Sequence, residues 1–503
     1  MSRPDLNLAA AEAGAITEPW SKEGGPGGAI VIFDADGPRR EAAGGLAVPE
    51  HGVAFSADTP SRWASISKQF CAATALLAGL DLDRELGRFV RGLPDGIAAV
   101  PLGRVLDMTG GIPDVMETLW LLGLPFTAGL REEELLDFVR RLPGVAGPAG
   151  REMTYSNTGW RLAGAAFAEG GDEYGGALRQ SLLLPLDLEG IHFPSDEGVL
   201  LPGLATPCWH DGTAWRRGRY GLHFSPSGGL AGSARDLARW GAALLAGRGA
   251  AQGLLAALSA PRAFADGTSS SYGLGLMRVA LGDFALVGHG GSLPGIKTHL
   301  LMAPALGCGI ALIANREDLD PLALAMRVMA AMTGRTLPKA ASLPAGLYAE
   351  EAGEAWAEVE GTSLSFMNAT EPLFEAADSV RTRPAYLEAA LNQGGNGALE
   401  GRIGGVRRRL LPVPAGTPLE QGLVGSWREP VFGATLEVSA AGMARLPGSA
   451  LHDTSPLRPL PGGRAIADRR HGPWRQRPML MLEAGGGLRL VTHRSRVLRF
   501  RRA

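Results

Sequence analysis

The sequence predicts an α+β domain followed by two small antiparallel β-barrels. Strands lie at both ends of the first 334 residues with apolar helices between them, a pattern that implies one sheet built from distant segments. After about residue 335 helical periodicity becomes rare, and short strands separated by Gly and Pro replace it. A chain of 503 residues also exceeds what a single hydrophobic core usually serves.

In the first domain, the β-branched run 28–33 predicts the opening strand of the sheet, and residues 41–48 are its expected hairpin partner. Periodic apolar positions predict helices after Ser65 and in four later segments. These segments are 102–108, 132–142, 160–169 and 234–246. The pattern then returns to strand in four segments, at 272–276, 284–289, 298–302 and 308–314.

The C-terminal third is divided in two because segments 346–348 and 424–427 begin alike. Further strands are predicted at 410–413, 435–438 and 488–491, with 414–421 as a linker. We therefore expect three domains, at residues 1–334, 335–415 and 416–503. A single β-sandwich in place of the two barrels is the alternative.

Charge is unevenly distributed along the chain, although the net charge is only −2. Residues 401–503 hold 18 Arg against 6 acidic residues, a net +12, and the first 400 residues carry −14. A basic terminal region can bind nucleic acid, but no basic helix or aromatic-basic motif accompanies this one. We therefore expect no nucleic-acid partner and instead an attraction between a basic C-terminal domain and the acidic first domain.

The cysteines and the N-terminal residues indicate the cellular compartment of the protein. Cys71, Cys208 and Cys308 are far apart, odd in number and without metal-ligand spacing, which favours buried thiols in a reducing compartment. Residues 1–16 contain acidic side chains and no continuous apolar core, so they predict neither a signal peptide nor a membrane span. A cytoplasmic protein without a membrane partner is expected.

The most informative motif is a serine and a lysine three residues apart, Ser65 and Lys68, at the start of an apolar helix. Residues three apart share a helix face. A hydroxyl needs a neighbour that takes its proton, and a lysine pressed against an apolar helix can lose its charge and do so. The chain contains only four lysines, so a lysine here indicates function more strongly than it would in a lysine-rich protein.

Two further pieces complete a candidate site. Tyr155 and Asn157 are two apart on a predicted loop, so the phenol can reach the seryl oxygen while the amide holds the lysine. The segment 287–292 contains His289, Gly290 and Gly291. Such glycines let a substrate backbone approach closely, and a strand N–H can complete an oxyanion hole with the N–H of Ser65. Each piece alone is a weak signal.

Together, in this order, the three pieces resemble the serine β-lactamase and penicillin-binding-protein superfamily. Segment 105–114 is similar to the stretch where His-Thr-Ser-Gly is usual, with Asp107, Met108 and Gly110 departing from that form. Segments 227–230, 236–240 and 272–276 also match, so the resemblance covers about residues 25–320. It implies catalytic roles for Ser65, Lys68, Tyr155, Asn157 and His289, and an oxyanion hole formed by the N–H groups of Ser65 and Ser292.

Within the superfamily the chain resembles the D-aminopeptidase family, since His289 stands where lactamases keep Lys, two barrels follow, and no export signal is seen. The barrels of that family are lipocalin-like, and a loop of the last one enters the cleft. Here the candidate loop is 467–478, which contains Asp468. The resemblance implies that Asp468 contacts substrate, together with Gly290 and Gly291. Lys297 is predicted either to bind the far end of a peptide or to be a surface lysine.

The resemblance implies a serine hydrolase that releases N-terminal D-amino acids from short peptides, amides and esters through an acyl-enzyme. A largely neutral His289 attracts a substrate carboxylate less than a lysine does, so amides and esters should be accepted. No metal or organic cofactor is implied, and a homodimer is left open. The alternatives are an esterase or amidase without preference for a free α-amino group, and a binding protein that keeps the fold without catalysis.

Overall fold

The computed structural model describes residues 3–171, 173–383, 386–449 and 453–503. In its first part, a six-stranded antiparallel sheet joins both ends of the predicted first domain. Its strands lie in the order Met277–Leu281, Phe284–Leu293, Ile296–Ala303, Cys308–Ala314, Gly28–Asp34 and Gly37–Gly44. The opening strand pairs with Cys308–Ala314, with Ile30 opposite Leu312. The prediction of one sheet built from distant segments is confirmed.

Helices cover both faces of this sheet. Side chains alternate across a strand, so Ile30 and Ile32 face one layer while Val31 and Phe33 face the other. Helices Leu6–Glu23 and Pro321–Thr333 pack on the first face. Helices Ser67–Leu77 and Ala234–Ala246 pack on the second, where the rings of Phe70 and Trp240 stack 4.4 Å apart. Both faces are therefore apolar.

A mostly helical region lies between the opening strands and the rest of the sheet. Its further helices are Asp95–Ala98, Leu102–Leu106, Val115–Leu121, Glu132–Arg140, Asn157–Ala163, Tyr174–Leu178 and Leu254–Ser259. Short two-stranded ribbons complete it: Leu46–Val48 with Val53–Ala54, Ser61–Arg62 with Ala231–Gly232, Cys208–His210 with Trp215–Arg217, and Arg262–Ala263 with Ser269–Ser270. The ribbon at Ser61–Arg62 leads directly into the Ser65 segment.

Several predicted elements differ from the structure. The strand at 272–276 is wrong: Gly275 has a φ of +81° and packs against the backbone of Gln69, so the strand begins only at Met277. The strand predicted to end at 289 continues to Leu293. The helix predicted at 160–169 begins at Asn157 and becomes a 3₁₀ helix after Ala163. Among the described residues, six α-helices were not predicted: Leu6–Glu23, Asp95–Ala98, Val115–Leu121, Tyr174–Leu178, Leu254–Ser259 and Pro321–Thr333.

Two barrels follow, as predicted, and a single sandwich is excluded. The first is closed, since its last strand pairs with its first. Its eight strands are Gly346–Ala349, Trp356–Glu360, Ser363–Phe366, Ala369–Glu375, Val380–Thr382, Ala389–Gln393, Leu399–Ile403 and Val406–Pro412. Between the two barrels, the described part of the chain contains one regular element, the 3₁₀ turn Gln421–Leu423. The domain limits at 334 and 415 stay a proposal compatible with this order of elements.

The second barrel is a nearly closed sheet of nine strands around a core that includes Trp427 and Phe500. In sheet order the strands are Ser455–Pro456, Met443–Arg445, Thr435–Val438, Gly425–Arg428, Leu498–Arg502, Leu488–Val491, Met479–Leu482, Arg464–Ile466 and Arg458–Leu460. A hairpin of strands Arg469–His471 and Trp474–Gln476 projects from this barrel. We call it the 469–476 hairpin.

Arginines of the C-terminal third pair with carboxylates of the first domain. The pairs and their N–O distances are Arg402–Asp266 (3.0 Å), Arg408–Glu152 (2.9 Å), Arg496–Glu152 (2.9 Å) and Arg494–Asp114 (2.8 Å). The uneven charge of the sequence is thus used to dock the barrels on the first domain.

All three cysteines are buried free thiols, as expected. Across the described ranges, no single helix has the length and apolar character needed to cross a membrane. One bent pair, Ala234–Ala246 with Gly249–Ser259, passes on length and composition alone.

Candidate active site

Ser65 lies in the 3₁₀ turn Ala64–Ile66, immediately before the buried helix Ser67–Leu77. The residue before it, Ala64, has a φ of +52°, a conformation that costs free energy for a residue with a Cβ. The flanking Trp63 is held on both sides, since its indole N–H donates to the Gly232 carbonyl and its own carbonyl accepts from Thr298 Oγ1, each at 2.9 Å. The surroundings therefore fix the serine in a strained turn.

Lys68 lies one helical turn after Ser65 and is fully buried. Its Nζ lies 3.0 Å from Ser65 Oγ, 2.8 Å from Asn157 Oδ1 and 2.6 Å from the Ser227 carbonyl oxygen. Two acceptors therefore orient the amine so that it also faces the serine hydroxyl.

Burial controls the protonation of both Lys68 and Tyr155. Burial holds the pKa of Lys68 well below its usual range, and the charge of Arg494 lowers that pKa further. Burial raises the pKa of the Tyr155 phenol, an effect that the neighbouring Ser65 side chain partly opposes. Both shifts favour neutral forms, an amine that can accept a proton and a phenol that can donate one.

Asn157 is held in place by the carboxylate of Asp114. The Asn157 backbone N–H donates to Asp114 Oδ2 at 2.7 Å, and the other carboxylate oxygen accepts from the Glu117 N–H at 3.0 Å. Asp114 thereby caps helix Val115–Leu121 and positions the first residue of helix Asn157–Ala163. Its carboxylate ties together two helices that border the site.

His289 lies behind Tyr155 and is fully buried, with the two ring centroids 6.5 Å apart. Its Nδ1 lies 2.5 Å from the Gly290 carbonyl oxygen, which only accepts, so Nδ1 carries the hydrogen and Nε2 accepts from Tyr272 O–H at 2.9 Å. Burial lowers the pKa of His289 to about 3, so the imidazole is neutral at neutral pH. Its ring nitrogens are both occupied by protein groups.

Gly290 and Gly291 lie within the strand Phe284–Leu293, not after it. A Cβ at Gly291 would lie 2.2 Å from the Trp63 carbonyl oxygen and 3.1 Å from Ala64 Cβ. Gly291 therefore lets its strand approach the Trp63–Ala64 backbone. The prediction was that such glycines admit a substrate backbone, whereas here the backbone that comes close belongs to the protein itself. Ser65 and Ser292, the predicted oxyanion residues, both line the cleft.

The variant Gly291→Ala is expected to lower the melting temperature and to slow acylation of Ser65 by about 10- to 100-fold, because the added methyl displaces the Trp63–Ala64 backbone by a large fraction of an ångström. Thermal unfolding and the rate of Ser65 acylation measure the two effects. Gly14→Ala is the control, since Gly14 lies in helix Leu6–Glu23 with open space at its Cβ position. A melting temperature equal to that of wild type for Gly291→Ala would contradict the packing argument.

The cleft above Ser65 is a cavity of about 320 Å³ that all three parts of the chain line. The first barrel contributes Asn368 and Tyr386, and the second contributes Arg494 and the hairpin residue Trp474. A small pocket with room for about one water molecule adjoins it. A molecule bound in this cavity would therefore lie between the first domain and both barrels.

Glu117 is the acidic side chain among the residues that line this cleft. It is 6% exposed and lies on helix Val115–Leu121 three residues before Trp120, which lines the same cleft. Burial raises the pKa of Glu117, and the charge of Arg494 opposes that shift. An ionised Glu117 would place a negative charge beside the reacting centre.

Lys297 lines the cleft, but its ammonium is already engaged. It lies 2.6 Å from Glu317 Oε1 and 2.9 Å from Ser292 Oγ. The same Glu317 oxygen accepts from the Trp474 indole N–H at 2.9 Å. Lys297 thus helps to hold the 469–476 hairpin against the first domain.

Asp468 precedes the 469–476 hairpin and does not contribute to the cleft lining. Its carboxylate pairs with Arg475, and its carbonyl accepts from Ser455 Oγ. The hairpin residues at the cleft are Trp474, Arg475 and Gln476. The substrate contact expected of Asp468 stays a prediction that this arrangement does not support.

A model of the beta-lactamase family matches residues 13–331, which hold all the catalytic candidates. The chain belongs to the beta-lactamase family. Among its relatives, D-aminopeptidase from Cereibacter sphaeroides (strain ATCC 17029 / ATH 2.4.9) is 25% identical over 331 residues, which cover 63% of each chain. The match thus spans less than two thirds of that relative.

Solved structures of similar shape include members with and without the C-terminal region. The octameric penicillin-binding protein homologue from Pyrococcus abyssi superposes with a TM-score of 0.57 over 99% of both chains, at 17% identity. D-amino acid amidase from Ochrobactrum anthropi SV3, complexed with L-phenylalanine, has a TM-score of 0.54 and 25% identity and covers 65% of this chain and 99% of its own. The beta-lactamase fold of this chain is thereby shown.

Sequence reasoning missed four groups at the site. The Ser227 carbonyl and Asp114 lie in segments that matched the family, but neither had an assigned role. Glu117 gave no signal beyond its position three residues after Asp114. Arg494 was one of 18 arginines in residues 401–503, and only the excess of positive charge pointed to its region.

Proposed function

We propose that this member of the beta-lactamase family is a serine hydrolase that releases N-terminal D-amino acids from short peptides, amides and esters through an acyl-enzyme. One observation carries the proposal: a fully buried lysine amine lies 3.0 Å from a serine hydroxyl in a strained turn. The similarity to D-aminopeptidase and to D-amino acid amidase supports the substrate class.

In the proposed reaction, neutral Lys68 takes the proton of Ser65 as the serine oxygen attacks the substrate carbonyl. The N–H groups of Ser65 and Ser292 stabilise the oxyanion, at about 3 to 4 kcal/mol per donor. The C–N or C–O bond then breaks, and Tyr155, whose raised pKa keeps it protonated, passes a proton to the leaving group while Lys68 returns one to the phenol. Water hydrolyses the acyl-enzyme.

An aminopeptidase must also hold the free α-ammonium of its substrate. Glu117 fits this role, because it is a buried carboxylate in the cleft and a charge-assisted hydrogen bond is strong where water is excluded. The bound ammonium would itself lower the pKa of Glu117 and keep the carboxylate ionised.

Glu117→Gln is expected to raise KM for D-alanine p-nitroanilide by about 10- to 100-fold, since a hydrogen bond to a charged group contributes about 1.5 to 3 kcal/mol. KM for the N-acetyl form, which lacks the ammonium, should change little. Glu133→Gln is the matched control, because that carboxylate is exposed on helix Glu132–Arg140. An equal rise of KM for both substrates would contradict the assignment of Glu117.

The substrate class is tested with the wild-type protein on D-alanine p-nitroanilide, its L enantiomer and its N-acetyl form. The proposal expects preference for the D form and for the free amine. The second candidate, an amidase or esterase indifferent to the α-amino group, predicts equal hydrolysis of the free and acetylated forms. If the protein hydrolyses none of these substrates and forms no Ser65 adduct, the third alternative, a non-catalytic binding protein of the same fold, is favoured. The cytoplasmic location and the homodimer stay predictions.

A further inference from the structure

Arg494 lies between strands Leu488–Val491 and Leu498–Arg502 of the second barrel, yet its side chain belongs to the catalytic cleft. Its backbone carbonyl accepts from the Asp114 N–H at 2.9 Å. The barrel backbone is therefore attached to the residue that starts helix Val115–Leu121.

The guanidinium of Arg494 makes four contacts: one places its Nε 3.9 Å from Glu117 Oε2, and the other three involve Asp114 and Tyr155. Its Nη2 lies 2.8 Å from Asp114 Oδ2, and its Nε donates to the Tyr155 carbonyl at 3.1 Å. The guanidinium carbon also lies 5.0 Å from the centroid of the Tyr155 ring, within the range of cation–π attraction. Arg494 thus holds Tyr155 by both backbone and ring.

The contact with Asp114 extends to the lysine. Asp114 Oδ2 forms an ion pair with Arg494 and accepts a hydrogen bond from the Asn157 N–H, and the Asn157 side chain accepts from Lys68. A planar guanidinium with donors in a fixed arrangement suits such a position better than an ammonium does. Arg494 therefore positions both Tyr155 and, through Asp114 and Asn157, the Lys68 amine.

We propose that Arg494 is a positioning residue, supplied by the second barrel, that holds Tyr155 and Asn157 in the arrangement needed for acylation of Ser65. The proposal rests on the proposed function only in taking Ser65 as the nucleophile. It adds that the barrel is part of the catalytic machinery and does more than narrow the cleft.

Electrostatics support the geometry. The titratable and charged groups around Lys68 are Cys71 on its own helix, Asp114, Tyr155, His289 and Arg494. The charge of Arg494 lowers the pKa of Lys68, and that of Asp114 raises it. Removing the guanidinium also leaves Asp114 less well compensated, so both effects of its removal raise the pKa of Lys68.

The experiment compares four full-length proteins: wild type, Arg494→Gln, Arg494→Lys and Arg496→Gln. Arg496 is the matched control, because it also pairs a barrel with the first domain, through Glu152, and is buried outside the cleft lining, whereas Arg494 is partly exposed in the cleft. Acylation of Ser65 by p-nitrophenyl acetate is measured from mildly acidic to alkaline pH by the release of p-nitrophenolate. Intact-protein mass spectrometry checks the adduct, and thermal unfolding checks the fold.

Arg494→Gln is expected to slow acylation by about 10- to 100-fold through misplacement of the reacting groups, and to move the acid limb of the pH profile upward by about one unit or more. Arg494→Lys keeps the charge without the planar donors, so it should lower the rate while leaving that limb near its wild-type position. Arg496→Gln should change only the melting temperature. If Arg494→Gln does not fold, the rate and profile of Arg494→Lys against Arg496→Gln decide the question.

Two results would overturn the proposal. Equal acylation rates and equal profiles for the Arg494 and Arg496 variants would reduce Arg494 to a docking contact, with the proposed hydrolase function intact. Absence of any Ser65 adduct in the wild-type protein would remove the nucleophile and would end both proposals.

Discussion

Replacing Ser65 with alanine is expected to abolish release of p-nitroaniline from D-alanine p-nitroanilide and to eliminate the covalent adduct. The mutation removes the attacking oxygen while leaving the Lys68 amine and the oxyanion donors in place. Loss of a nucleophile of this kind costs at least about 10⁴-fold in kcat. Hydrolysis followed by absorbance, and the mass of the intact protein after incubation with an acylating ester, measure both outcomes.

Ser181→Ala is the control for this substitution. The Ser181 hydroxyl bonds only to the carbonyl of Ala177 on its own helical segment, among the contacts of the described residues, so its loss should leave turnover unchanged. Turnover by the Ser65 variant within tenfold of wild type, with the same D preference, would place the nucleophile elsewhere and would refute the proposed acyl-enzyme.

Lys68→Met is expected to lower kcat/KM by about 10³- to 10⁴-fold, the contribution of a well-placed general base at the upper end of its usual range. The side chain has similar length and is apolar, so the buried site should accept it. Removing the amine leaves Asn157 Oδ1 and the Ser227 carbonyl oxygen without this donor, at about 1 to 3 kcal/mol for each unsatisfied acceptor, so we expect a lower melting temperature. A folded Lys68→Met protein that has lost its activity would separate the catalytic role of the amine from its structural one.

The same residue sets the expected pH dependence. Lys68 accepts a proton only when it is neutral, so activity is present above its pKa and is lost as the pH falls through that value. Because burial holds the pKa of Lys68 well below its usual range, the wild-type enzyme should be active at neutral pH. The residual activity of Lys68→Met should lack this acid limb. Lys339→Met, an exposed lysine paired with Glu375, is the control; a profile of Lys68→Met identical to wild type would exclude Lys68 as the base.

The parts of the fold that follow from local patterns were predicted well. The strand 308–314 and the helix 234–246 have the predicted limits, because a short, almost continuous apolar run and a capped amphipathic helix are recognisable from the sequence alone. Helix Leu6–Glu23 was missed because an internal Pro and a weak apolar face hide its periodicity. The strand predicted at 272–276 failed because a tertiary contact, the approach of Gly275 to Gln69, overrides the alternation of the sequence.

The site divides in the same way. Ser65 and Lys68 are close because they are one helical turn apart, so spacing alone predicts their contact. Asp114 and Arg494 lie in different domains, and nothing local in either segment announces the pair. The charge balance indicated that the barrels dock on the first domain, but not which arginine enters the cleft. Asp468 shows the converse: an acid in the expected loop is neutralised by Arg475, a neighbour on that loop.

The pairing of Asp114 with Arg494 also has a consequence for biosynthesis. A ribosome adds roughly 5 to 20 residues per second, so Ser65 and its helix emerge long before the arginine that completes their surroundings. During that interval the nascent chain contains Ser65 but lacks the residues with which the second barrel lines the cleft. On the proposed role of Arg494, catalytic competence would therefore follow synthesis of the second barrel, and chains that stop before Arg494 would lack it.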